Sequence, residues 1–244
     1  MRPFVYICSV MRTGSTLCQE ALTQKPKALI FSEPRFDGKI FRLNLGLEIE
    51  LNRFGIPIFT SRSLESMIEY MSKYVEQVGV KEIRNWGWEK YITVPDIRIV
   101  LTGRDPRDIY LSAYGVINRN DSWHPRFGFY PEGIFKEVYP DFLVQKKLAE
   151  KFDVFKIRYE DFCTNFNSVY PELKKFVDSP IDGVGDIGEF HKRIEAGVYE
   201  WTTHQGKVTP KSCFKWKNET NKDILREAVE FYDLMKEYNE FWGY

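Results

Sequence analysis

A run near the start of the chain, Cys8-Ser9-Val10-Met11-Arg12-Thr13-Gly14-Ser15-Thr16-Leu17, combines small hydroxyl residues, one glycine and one arginine between an apolar stretch and a helical pattern. Free backbone N–H groups at a helix N-terminus favour an anion, so this turn suits a phosphate or a sulfate. It is close to the nucleotide-binding pattern G-x-x-x-x-G-K-[ST], but Ser9 stands where the first glycine falls and Ser15 where the lysine falls. Without that lysine the point charge that grips the β and γ phosphates of a nucleoside triphosphate is missing. Arg12 instead brings a planar fork of donors. An ATPase or GTPase is therefore disfavoured.

A second group lies far along the chain. The apolar stretch Ile97–Leu101 runs into Arg104-Asp105-Pro106-Arg107-Asp108, where Asp105 can cap a helix, Pro106 suits its first position and Asp108 complements its dipole. Arg104 stands just outside that helix, and Ser112 lies two turns along it on the face of Asp105. An arginine and a hydroxyl converging in this way can hold a second phosphate. A third polar group, Ser32-Glu33-Pro34-Arg35, follows the apolar stretch Ala28–Phe31.

These groups need a scaffold that brings distant segments to one edge. Strand patterns fall at 3–8, 28–32, 79–83, 97–102 and 153–158, and helical periodicity at 15–24, 38–50, 63–77, 106–118, 137–151, 168–177 and 222–240. The alternation predicts an α/β fold, a mainly parallel central sheet flanked by helices, as one domain over residues 1–244. In such sheets ligands bind at the carboxyl ends of the strands, where the opening turn, Glu33 and Arg104 all fall.

Composition narrows the partners. Lysine plus arginine (35) balance aspartate plus glutamate (35), so no global field points to nucleic acid. The four cysteines, at 8, 18, 163 and 213, have neither zinc-ligand spacing nor a disulfide framework, which predicts reduced thiols, no structural metal and a cytoplasmic protein. No segment approaches the ~20 apolar residues that span a bilayer, and Pro3–Met11 is expected to be a strand rather than a signal peptide.

Taken together, the two anion motifs resemble those of the sulfotransferase superfamily that uses 3′-phosphoadenosine 5′-phosphosulfate (PAPS). Arg12-Thr13-Gly14-Ser15-Thr16 looks like its 5′-phosphosulfate loop, and Arg104 through Ser112 like its 3′-phosphate motif. Arg158-Tyr159-Glu160-Asp161-Phe162 is similar to its aromatic-acidic segment, and Gly206-Lys207 with Trp216-Lys217 to its C-terminal glycine-basic loop and tryptophan. The final Gly243-Tyr244 also looks like a common ending. The landmarks span nearly the whole chain.

The resemblance implies a P-loop-like fold and sulfuryl transfer from PAPS to an acceptor hydroxyl, with release of adenosine 3′,5′-bisphosphate (PAP) and no metal. It assigns the donor to Arg12, Thr13, Gly14, Ser15, Thr16, Arg104, Ser112, Tyr159, Gly206 and Lys207, and catalysis to Glu33, Arg12 and Lys81. Arg12 acts electrostatically, because its guanidinium stays protonated. Burial is expected to tune Glu33. His124 is the alternative base, and His191 and His204 are expected to be solvated or structural. Leu17 occupies the place of the tryptophan that stacks adenine in cytosolic relatives, which leaves adenine to Tyr159 or the surroundings of Lys207 and Trp216.

The acceptor, a small molecule, glycan or peptide, would be chosen by segments 34–62 and 115–140, the second carrying Trp123, Phe127, Phe129, Tyr130, Phe135 and Tyr139 as a possible aromatic platform. Two other functions stay open: a nucleotide or small-molecule kinase, and a module that binds PAP without chemistry. Oligomeric state is not legible.

Overall fold

Phe4-Val5-Tyr6-Ile7-Cys8 is apolar or aromatic on both faces, as a central strand of a parallel sheet requires. In the computed structural model, which describes residues 2–36, 41–42, 45–60, 63–117, 127–188 and 207–244, it is the middle of the sheet. The strands are β1 (Phe4–Ser9), β2 (Ala28–Ser32), β5 (Gln77–Glu82), β6 (Ile97–Gly103) and β7 (Val154–Arg158), ordered β2-β5-β1-β6-β7 and all parallel. The five expected strands are the five of this sheet. A two-residue antiparallel pair, β3 (Arg35–Phe36) with β4 (Phe41–Arg42), follows β2.

Alternation along β1 divides the core. Phe4, Tyr6 and Cys8 face a layer built by α2 (Leu45–Phe54), α3 (Leu64–Met71), α5 (Pro106–Ile117), α6 (Pro131–Lys151), α9 (Lys222–Leu234) and α10 (Lys236–Trp242). Val5 and Ile7 face α1 (Ser15–Ala21), α7 (Tyr159–Thr164) and α8 (Phe166–Phe176). A short α4 (Trp88–Tyr91) lies between β5 and β6.

Several helices differ from expectation for local reasons. The helix expected over 63–77 stops at Met71, because Gln77 belongs to β5 and its buried amide binds the carbonyls of Pro3 and Val177. The one expected over 38–50 runs from Leu45 to Phe54. The pattern over 222–240 is two helices with a break at Met235. The helix expected from 137 starts at Pro131, so residues 131–140 are not a loop: Pro131 serves as a first-turn proline, and Pro140 sits inside the helix. The aromatics of the expected platform divide: Phe127 and Tyr130 are exposed, while Phe129, Phe135 and Tyr139 pack against the core. Phe129 packs on Tyr110 at 5.2 Å and Tyr114 at 5.3 Å, and Phe135 stacks on Tyr139 at 4.6 Å against the core. Trp123 lies outside the described residues.

No described helix is long and apolar enough to cross a membrane. The four cysteines form no disulfide, and burial pushes the Cys18 thiol up to about 12.

Candidate anion-binding and catalytic site

β1 ends at Ser9, and the chain turns back into α1 at Ser15 through a tight loop. Two residues in that loop have left-handed backbones, Arg12 at φ 66° and Gly14 at φ 80°. Gly14 is required twice over: its φ disfavours a side chain, and a Cβ there would lie 2.2 Å from Cδ2 of Tyr159. Thr13 is buried, and its hydroxyl lies 2.6 Å from the carbonyl of Val10 and 2.7 Å from the Thr102 hydroxyl, which donates to Ser9 Oγ at 2.8 Å. The Thr13 side chain therefore ties the loop to β6, leaving only its backbone for an anion. Ser15 and Thr16 open α1, where first-turn N–H groups have no acceptor within the helix.

The two anion motifs meet. Arg12 Nε donates to Ser112 Oγ at 2.9 Å, and Arg104 Nη1 donates to the carbonyl of Arg12 at 3.2 Å. Arg104, expected to reach freely across the sheet edge, is buried. Its guanidinium lies 4.5 Å over the Tyr159 ring, its Nη2 donates to the carbonyl of Ser212, and its Nε is buried without a hydrogen-bond partner. An orphaned donor of this kind beside an anion loop fits a phosphate.

The surrounding groups fix Arg104 in place. Its backbone N–H and carbonyl both bind the Tyr238 hydroxyl, at 2.9 and 3.0 Å. Asp105 accepts the Arg107 N–H at 2.9 Å, the expected cap, and also binds the Arg107 guanidinium. Glu160 accepts the Asp105 N–H at 3.0 Å and the Tyr244 hydroxyl at 2.8 Å, so three separate sequence landmarks share one carboxylate. Asp108 accepts the Trp216 N–H at 3.1 Å. Burial raises the Asp108 carboxyl, while Arg104 and that N–H pull it down.

Glu33 and Lys81 come together at the same edge of the sheet, from β2 and β5. Register pairs Ser32 with Lys81, Glu33 turns left-handed at φ 52°, and its N–H donates to the Lys81 carbonyl at 2.7 Å. Lys81 Nζ then reaches Glu33 Oε1 at 2.5 Å. The lysine is 2% exposed and the glutamate 40%, so Lys81 is not a solvated edge lysine, and Glu33 is half-open rather than buried. Tyr159 is the wedge beneath the loop. Lys207 is exposed, while Gly206, His124, His191 and His204 lie outside the described residues. Ser212 was missed because it binds through a carbonyl, which carries no sequence signal. Among the described residues no cluster suited to a metal ion occurs.

Residues 2–233 match the family model of the sulfotransferase domain. No curated protein matches the sequence. Among solved structures, a sulfotransferase domain from the curacin biosynthetic pathway aligns with a TM-score of 0.62 at 12% identity, over 97% of this chain and 98% of that one. A sulfotransferase from Alicyclobacillus acidocaldarius gives 0.51 at 14% identity, over 100% and 96%. A mouse sulfotransferase complexed with PAP gives 0.52 at 12%, over 99% and 88%.

Proposed function

The chain belongs to the sulfotransferase domain family, and from that premise we propose that it transfers a sulfuryl group from PAPS to an acceptor hydroxyl, with Glu33 as the general base. The observation that carries the proposal is the junction of the two anion motifs through Arg12, Ser112 and Arg104. In this reading the opening loop would take the 5′ phosphate of a nucleotide bisphosphate, and Arg104 with Ser112 its 3′ phosphate.

PAPS, when bound, supplies an activated sulfuryl group and a leaving phosphate. The backbone N–H groups of Thr13 to Thr16 and the hydroxyls of Ser15 and Thr16 would hold its 5′ end. Arg104 Nε, the Arg12 guanidinium and Ser112 would share the negative charge, Arg12 stabilising what develops on the leaving oxygen. Tyr159 would keep the loop and Arg104 aligned, with Lys207 and Trp216 near the adenine. Glu33 would take the proton of the acceptor hydroxyl at its carboxylate, which Lys81 orients. No side chain in this scheme requires a metal. The acceptor class is a sugar, phenol or peptide tyrosine hydroxyl.

Calorimetric titration with PAP against ATP plus Mg²⁺ separates this from a kinase: PAP is expected to bind and ATP–Mg²⁺ to be ignored. Radiolabelled PAPS offered with a panel of sugars, phenols and tyrosine peptides separates an enzyme from a silent PAP-binding module. Tight ATP binding with indifference to PAP would overturn the proposal, and PAP binding without transfer to any acceptor would leave the silent module.

A further inference from the structure

Ser9, where the anion loop departs from β1, is held by a residue that belongs to no motif. Asn85, in the segment after β5, is 1% exposed, and its Nδ2 donates to the Ser9 carbonyl at 2.8 Å. Its Oδ1 accepts the Tyr6 hydroxyl at 2.7 Å. Its backbone N–H donates to Asp141 Oδ1 at 2.8 Å, and its Nδ2 lies 3.4 Å from the same oxygen. Asn85 thus joins the end of β1 to α6.

Asp141 is one of three buried polar residues on one face of α6, Glu137, Asp141 and Gln145, spaced four apart. Gln145 Nε2 donates to the carbonyls of Cys8 and Thr102, at 2.9 and 3.0 Å, beside the ends of β1 and β6. Glu137 receives Arg84 through both its carboxylate and its carbonyl. Burying such a stripe against a sheet costs free energy unless the groups find partners. Here the partners of Asn85 and Gln145 are the strand ends that carry the loop.

We propose that Asn85 and Asp141 are positioning residues for the anion loop: ionised Asp141 orients the Asn85 amide, and the amide fixes the Ser9 carbonyl from which the loop departs. The role in nucleotide binding rests on the assignment of that loop to PAPS. The groups facing Asp141 are Tyr6 (through Asn85) and Cys8 from β1, Glu82 from β5, Arg84 from the following segment, and Glu137 from its own helix. Burial pushes the Asp141 carboxyl from 3.8 up to about 6, against the pull of the Asn85 N–H and the Arg84 charge. A neutral carboxyl is the weaker acceptor, so the orientation is lost as pH falls through that value.

Asp141→Asn imitates the neutral state at every pH. Hydrogen exchange of the peptide covering Val10–Thr16, corrected for intrinsic rates, is expected to be roughly tenfold faster in the variant than in the wild type at pH 8 and equal at pH 5. PAP affinity should follow, with the variant weaker at pH 8 and the wild-type-to-variant ratio approaching one at pH 5. Titration of PAP itself cancels in that ratio. Asn85→Ala, which leaves Asp141 in place, should speed loop exchange across the whole range and keeps the proposal testable if Asp141→Asn does not fold. Equal loop protection in wild type and folded variant at pH 8, or a ratio constant with pH, would overturn it. Wild type that binds no PAP at any pH would instead overturn the nucleotide assignment, while loop exchange still decides the positioning role.

Discussion

The cradle around Arg104 and the edge carrying Glu33 both lie at carboxyl ends of the sheet, yet their construction is opposite. In the cradle, Arg104 is buried, bound to carbonyls of Arg12 and Ser212, stacked on Tyr159 and anchored through its backbone to Tyr238. At the edge, one buried lysine reaches a carboxylate that is still 40% exposed. A group that must hold a fixed polyanion benefits from rigidity, because preorganised donors need no rearrangement on binding. A base that must meet an incoming hydroxyl needs an open side. On the roles proposed above, Arg104 would serve donor binding and Glu33 proton transfer, so substitutions at these two residues should separate the two.

The largest effect is expected at Glu33. Replacing it with glutamine keeps the shape and a hydrogen-bond acceptor for Lys81 but removes the basic oxygen, so kcat should fall by ~10²–10⁴-fold. PAP affinity should stay within about twofold. A Glu33→Gln enzyme with unchanged turnover would remove the glutamate from the reaction and turn attention to His124; one that loses PAP binding would erase the division between the regions.

Arg104→Lys tests the other side. Lysine keeps the charge but loses the planar fork and its stacking on Tyr159, so the Kd for PAP should rise by roughly 10- to 100-fold, as expected when a multi-bonded charged contact is broken. Turnover at saturating PAPS should change by less than about threefold, since Arg104 is assigned no part in proton transfer. A fall in kcat with unchanged PAP affinity would mean that the cradle acts on the chemical step.

The same division explains what could be read from the sequence. The cradle is written in contiguous stretches: Arg12 through Thr16 form one loop, and Arg104 through Ser112 cover one strand end and two helical turns. Local rules of turns and caps apply there, and Asp105 and Gly14 obey them. The Glu33–Lys81 pair depends on the register between β2 and β5, with Ser32 opposite Lys81, which no short pattern encodes. Asn85 and Asp141 were invisible for the same reason, being joined only when α6 docks on the sheet. The reading of 131–140 as a loop failed because Pro131 and Pro140 suggest a loop, whereas α6 holds both.

The smallest effect concerns the residue after Lys81. Glu82 is buried, with Tyr91 donating to its Oε1 at 2.6 Å, and burial raises its carboxyl from 4.5 to about 8. The unfolded chain gives up this proton near 4.5 while the folded chain holds it until about 8. The folded state thus binds more protons between those values, and stability should decline with rising pH across that window. Glu82→Gln, which cannot ionise, should raise Tm more at pH 8 than at pH 5, where Glu82 is neutral in the folded protein. PAP affinity should not change at either pH. A Tm gain equal at both would mean that the carboxyl titrates in its ordinary range, and that Lys81 and Glu33 stand next to no buried ionisable neighbour of consequence.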